Sequence, residues 1–217
     1  MFKNILTLAL ILAILPSVIW CDSNNYSFQI MEDSELNTTV YINASQKEGR
    51  TLLVIGGVHG DEPAGIKVGE KLSKQTPSNG TLIVIPKANA VSCANNNRTE
   101  YYMEDLNRSF MGSENDSNTQ KLAWEIVKLI NKYKPALIID LHESRGKYSE
   151  SCNFIGQSII LSDTQNTEPI EIAFEILDKV NSKLEEELWF TVLSGAPGGS
   201  INSEISKVLD IPVITIE

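Results

Sequence analysis

Four short apolar runs constrain the fold of this 217-residue chain more than any other feature: residues 51–55, 81–85, 136–141 and 212–216. Each is five or six residues long, rich in Ile, Leu and Val, and without polar alternation, the pattern of a strand covered on both faces. Between them lie stretches with helical spacing of apolar positions. Residues 63–72 begin with Pro63, which suits a first helical turn, and residues 117–133 place Leu122, Ile126, Leu129 and Ile130 on one stripe. A second amphipathic helix is expected over 168–188, with Ile172, Ile176, Val180 and Leu184 on its apolar face. Strands that alternate with helices give an α/β fold, a mixed twisted sheet with helices on both faces. Residues 27–30 and 39–42 add a predicted edge hairpin, and no internal repeat or domain linker interrupts the chain.

In such sheets ligands gather beyond the carboxyl ends of the strands. The only two histidines of the chain fall there. His59 follows the first apolar run in the segment Gly57-Val-His59-Gly-Asp-Glu62-Pro, and His142 closes the third in Asp140-Leu-His142-Glu143. A mononuclear catalytic zinc takes two imidazoles and one carboxylate and keeps a position open for water. His59, Glu62 and His142 supply that set, and Zn2+ is the expected cofactor. Asp140, two residues before His142 on the same strand face, is placed to orient an imidazole.

Composition limits the partners. The formal charge of −10 excludes a nucleic-acid binder and leaves no broad basic surface for anionic lipid. Lys3 followed by an apolar run to Trp20 has the layout of a secretory signal, so residues 1–21 are expected to be a leader, or a retained anchor, and the product secreted or cell-surface. Residues 22–217 then form one catalytic domain. Trp20 before Cys21 fits lipoprotein processing poorly. In an oxidising compartment Cys93 and Cys152 either pair or remain two buried thiols. The seven Asn-x-Ser/Thr sequons carry little weight, and the oligomeric state is not encoded in any visible pattern. The polar, Asn-rich stretch 86–110 is too long for an ordinary connection, and such loops are usually either functional or disordered.

Taken in order, these motifs resemble the zinc metallocarboxypeptidase family and its murein peptide amidase and succinylglutamate desuccinylase/aspartoacylase relatives, from about residue 52 to Glu217. The resemblance implies a zinc-carboxypeptidase-like fold with His59, Glu62 and His142 as metal ligands. Asp105-Leu-Asn107-Arg108-Ser-Phe110 is similar to the family segment whose Asn and Arg hold a substrate carboxylate, which assigns Asn107 and Arg108 to that role. Arg98 has the spacing of the arginine that polarises the scissile carbonyl. Gly198-Gly-Ser-Ile201-Asn202 resembles the stretch lining the carboxypeptidase specificity pocket, which puts Ile201 against substrate. Glu217 falls where the family carries its catalytic glutamate, with Glu143 as the fallback base.

Two departures from the pattern stand out. Small residues after Ser194 replace the tyrosine that carboxypeptidases carry in the loop before the specificity segment, and the sequence stops at Glu217 where relatives continue. The implied activity is an exported zinc-dependent hydrolase that cleaves an amide bond beside a residue with a free carboxylate, from a peptide. An N-acyl amino acid deacylase is the alternative, and a non-catalytic carboxylate-binding module on the same scaffold is the third reading.

Overall fold

A computed structural model describes residues 25–147, 155–162 and 167–217. The leader-like segment, Cys21 and Cys152 lie outside these residues, so the expected Cys93–Cys152 alternatives are not addressed by it. The described strands form one eight-stranded sheet in the order β1-β2-β4-β3-β5-β8-β6-β7. They are β1 (Tyr26–Ile30), β2 (Thr38–Ala44), β3 (Thr51–Gly56), β4 (Thr81–Ile85), β5 (Leu137–Leu141), β6 (Ser158–Leu161), β7 (Thr191–Ser194) and β8 (Val213–Ile216). The helices are α1 (Pro63–Leu72), α2 (Ala90–Asn95), α3 (Asn118–Tyr133), α4 (Glu168–Asn181) and α5 (Ile201–Leu209).

The four apolar runs become β3, β4, β5 and β8, which lie side by side and parallel at the centre. The predicted hairpin, β1 and β2, extends the sheet antiparallel on one side. On the other side β6 runs antiparallel to β8 and parallel to β7. These last two are four residues each, too short for periodicity to reveal. The expected mixed α/β sheet is therefore the observed one.

Alternation along the strands separates two cores. Leu53, Ile55, Ile83, Ile85 and Ile138 point to one face and pack with Leu122, Ile126 and Ile130 of α3 and Ile201 and Ile205 of α5. Val54, Leu82, Val84 and Leu141 point to the other, towards the α1 side, where Leu72 packs on them. Ile214 and Ile159 continue that face under Ala173 of α4. Helices cover both faces, as the two-sided apolar runs require.

Two local features depart from expectation. The polar stretch 86–110 is not wholly irregular: it holds α2, started by Asn89 accepting from the Ser92 amide, and a 3-10 turn at Leu106–Arg108 started by Asp105. Side-chain caps rather than apolar spacing build these turns, so periodicity passes over them. The helix expected to reach 188 ends at Asn181. There the Asn181 side chain accepts from the Phe190 amide at 2.8 Å and donates to the Phe190 carbonyl at 3.0 Å, turning the chain back towards β7.

Helix α2 packs so closely on the His59 segment that a Cβ at Gly60 would lie 1.9 Å from the Ser92 carbonyl oxygen. That oxygen belongs to backbone, so the helix itself must move to admit a side chain. Gly60→Ala is expected to lower stability by about 1–3 kcal/mol or more, as overpacking does. A urea midpoint unchanged from wild type would contradict this packing.

Candidate active site

β3, β5 and β8 are parallel neighbours, so their carboxyl ends open on one edge of the sheet. The segment after β3 carries His59 and then Glu62, which sits at the N-terminal end of α1 just before Pro63 without a side-chain bond to the helix. His142 follows β5 directly, its amide donating to the Ile216 carbonyl at 2.8 Å. Glu217 follows β8, its amide donating to the Ser158 carbonyl at 2.9 Å. These side chains line a cleft of about 410 Å³ together with Arg98, Asn107, Arg108, Asp140 and Glu143.

Glu62 lies between the two imidazoles. Its Oε1 is 2.7 Å from His59 Nδ1 and its Oε2 is 2.7 Å from His142 Nδ1. The three donor atoms are within 4.8 Å of one another. Each ring turns its second nitrogen to an aspartate: His59 Nε2 to Asp105 Oδ1 at 3.1 Å, and His142 Nε2 to Asp140 Oδ2 at 3.1 Å. With both Nε2–H groups held by carboxylates, both Nδ1 atoms face Glu62. Two imidazole nitrogens and one carboxylate converging beside an open cleft suit a divalent cation such as zinc.

In the metal-free chain these contacts ask each ring to donate from both nitrogens. Burial pushes the two imidazoles towards the neutral form, but the carboxylates outweigh it and hold His142 well above its ordinary range and His59 above it. Burial likewise opposes ionisation of Glu62, and hydrogen bonds from His142 and His59 bring it down to about 2. Asp105 is half-buried, which opposes its ionisation, yet His59 and Arg98, the latter at 3.0 Å, hold it below the usual carboxylate range. Glu217 goes the other way. Burial raises it, against the partial opposition of His142.

Further residues surround this centre. Arg98 is half exposed and reaches Asp105, with its other nitrogen 3.6 Å from Glu62. Arg108 is exposed and donates to the Asn107 carbonyl at 2.6 Å, while Asn107 Oδ1 is buried without a partner. A Cβ at Gly199, where φ is +77°, would meet the Arg108 carbonyl oxygen at 2.5 Å, so glycine is what lets the Gly198-Gly-Ser loop touch the Asn107-Arg108 turn. Glu143 is committed elsewhere: its Oε2 accepts from the Ala64 amide at 2.6 Å, at the start of α1.

Ile201 does not reach the cleft, contrary to the sequence expectation. It is fully buried in the core beneath α5, and its neighbours Ser200 and Asn202 line the cleft instead. Successive residues in the first turn of a helix point about 100° apart, so a motif match places the segment but not the side chain. Three residues near the imidazoles went unassigned in the sequence. Asp105 lies in the quoted Asp-Leu-Asn-Arg segment, Asn202 in the Gly-Gly-Ser stretch, and Thr215 two residues before Glu217, a spacing that puts both on one strand face.

A cation at this centre displaces the Nδ1 protons, so loading and pH are coupled. The raised imidazoles stabilise the metal-free fold fully below about pH 6.5, their unfolded value, and lose that contribution as pH rises through the folded values. Glu62 contributes above its ordinary 4.5 and loses its share as pH falls towards about 2. The metal-free protein is therefore expected to have its highest melting temperature at about pH 5–6, and the rise produced by added zinc to grow from there to about pH 8. Differential scanning fluorimetry with and without zinc checks both, and a zinc-induced rise that shrinks over that interval would contradict the coupling. His142→Ala and His59→Ala are each expected to lose stoichiometric zinc by elemental analysis.

Comparison with known proteins gives the family and the fold. Residues 48–182, more than half of the chain, match the model of the succinylglutamate desuccinylase/aspartoacylase catalytic domain. Over 128 residues the chain is 31% identical to N-alpha-acetyl-L-2,4-diaminobutyric acid deacetylase of Halomonas elongata, covering 57% of this chain and 37% of that protein. The ectoine utilization protein EutE (DoeB) of Ruegeria pomeroyi shares the fold with a TM-score of 0.66 at 17% identity, covering 89% of this chain and 59% of that one. The cell shape determinant Csd4 of Helicobacter pylori does so with a TM-score of 0.68 at 18% identity, covering 82% and 48%. The chain thus spans less than two thirds of each of these proteins. Among the described residues no helix is long and apolar enough to cross a membrane. With the matched segment carrying β3 to α4 and both histidines, this chain belongs to the succinylglutamate desuccinylase/aspartoacylase family.

Proposed function

We propose that the chain is the catalytic part of a zinc-dependent amide hydrolase acting on N-acyl amino acids with a free carboxylate. The observation that carries this reading is the convergence of His59, Glu62 and His142 in one cleft with Glu217 and with the Asn107-Arg108 turn. The sequence put a peptide substrate first and an acyl amino acid second. The family match and the 31% identical deacetylase support the second at least as well. The leader-like residues 1–21 favour the first, since they imply export, where short peptides are the commoner substrate. We keep the peptide as the second reading and export as a proposal.

In this reading His59, Glu62 and His142 hold the metal, with Asp105 and Asp140 orienting the imidazoles. A zinc ion held there would supply Lewis acidity, lowering the pKa of a water towards about 7. Glu217 takes the proton of the attacking water on its carboxylate and returns it to the departing amine nitrogen, a role worth about 10²–10⁴-fold. This carboxylate is largely withdrawn from solvent, and in the metal-free chain burial raises it. Glu143 is a poorer base because its Oε2 is held by the α1 amide. Arg98 stabilises the oxyanion of the tetrahedral adduct. Arg108 grips the substrate carboxylate with its planar fork, and the Asn107 amide donates beside it.

Glu217→Gln is expected to keep zinc and substrate affinity while turnover falls by about 10²–10⁴-fold; a fully active glutamine variant would return attention to Glu143. Substrates amidated at the free carboxylate are expected to be cleaved far more slowly than the acids, and equal rates would remove Arg108 and Asn107 from this role. Parallel assays on N-acetyl and N-succinyl amino acids and on short peptides separate the two substrate readings.

A further inference from the structure

We infer that Asn202 and Thr215 are positioning residues for the metal site: a hydrogen-bond chain from Asn202 through Thr215 to Asp140 fixes His142 as its Nε2-protonated tautomer and thereby sets zinc affinity. The inference rests on the reading that His142 is a ligand.

The chain is continuous and has one direction. Asn202 Nδ2 donates to Thr215 Oγ1 at 2.9 Å, and Thr215 Oγ1 donates to Asp140 Oδ2 at 3.2 Å. The same Oδ2 faces His142 Nε2 at 3.1 Å. The Asn202 amide cannot be reversed, because Nδ2 also donates to the Ile160 carbonyl at 3.1 Å and an amide oxygen there would face another acceptor. An amide nitrogen only donates, so the threonine oxygen must accept from it and spend its single proton on Asp140. An ionised carboxylate only accepts, so the proton between Asp140 and His142 is on Nε2. That leaves Nδ1 as the nitrogen available to a cation.

Burial makes the chain consequential. Asn202 and Asp140 are 1% exposed, and Thr215 and His142 are 5% exposed. Hydrogen bonds in such surroundings are electrostatically stronger, and a missing partner is correspondingly costly. The members come from four places in the sequence. Asp140 and Thr215 are paired across β5 and β8, Asn202 is in the first turn of α5, and Ile160 is on β6. A valine would suit a central strand as well as Thr215 does, so the hydroxyl is the feature that strand packing does not require. Asp140 Oδ1 has no protein partner, which leaves the Oδ2 contacts as the constraint on that carboxylate.

The test is zinc affinity of the purified chain, measured by competition with a chromophoric chelator, independent of turnover. Thr215→Val is expected to weaken zinc binding about tenfold, the lower end of what losing a ligand's supporting partner costs. Thr215→Ser, which keeps the hydroxyl and leaves a small void, is expected to restore it; a variant weakened only by misfitting would not be rescued that way. Asn202→Ala is expected to weaken binding in the wild-type background and to add nothing in Thr215→Val, because both act through one chain. Thr215→Val with wild-type affinity, or additive losses in the double variant, would overturn the inference. His142→Ala serves as the control. Zinc lost there beside an unchanged Thr215→Val removes this inference alone, whereas zinc retained there removes the ligand reading with it.

Discussion

One carboxylate received by two imidazoles organises this protein. Glu62 is 2.7 Å from a nitrogen of each ring, and each ring is braced from behind by an aspartate on a different element. Five buried or half-buried titratable groups packed this tightly cost desolvation energy that only mutual pairing or a bound cation offsets. The central strands around these groups are otherwise rich in buried Ile, Leu and Val, such as Leu53, Ile55, Ile83, Ile85, Ile138 and Ile214. A chain that only needed a core would not place its two histidines and three acids at one sheet edge.

The backbone around that cluster is arranged to bring distant segments to contact. Parallel register delivers the ends of β3, β5 and β8 to one level, so residues 59, 142 and 217 meet despite their separation in sequence. Glycine makes the remaining approaches possible: Gly60 lets α2 press on the His59 turn, and Gly199 lets the α5 loop lie against Arg108. Neither contact admits a Cβ, so the Asn107-Arg108 turn and the His59 turn are fixed by backbone packing rather than by long side chains.

The cleft has two chemical halves. Arg98, Asn107 and Arg108 supply donors at the rim, while Glu62, Asp140 and Glu217 supply acceptors below. A substrate that presents a carboxylate to the rim and an amide to the acids uses both halves at once. After Ser194 the loop residues that line the cleft are the small Ala196 and Pro197.

Much of this was legible in order of residues. Apolar runs without alternation identify β3, β4, β5 and β8 because a strand covered on both faces has no polar side. The two histidines and Glu62 are recognisable because metal coordination restricts both residue type and position. The brief strands β6 and β7 and the helix α2 are not, since four to six residues carry too little periodicity and are held by caps and neighbours. Tertiary structure also decided which residue of a matched motif faces the site: Ile201 turns into the core and Asn202 towards Thr215. That distinction depends on how α5 is rotated against β8, a packing outcome between segments. Sequence spacing therefore pointed to His59, Glu62 and His142 and to Asp140 behind one imidazole, whereas Asp105, Thr215 and Asn202 became visible only once separate elements were brought within hydrogen-bond distance.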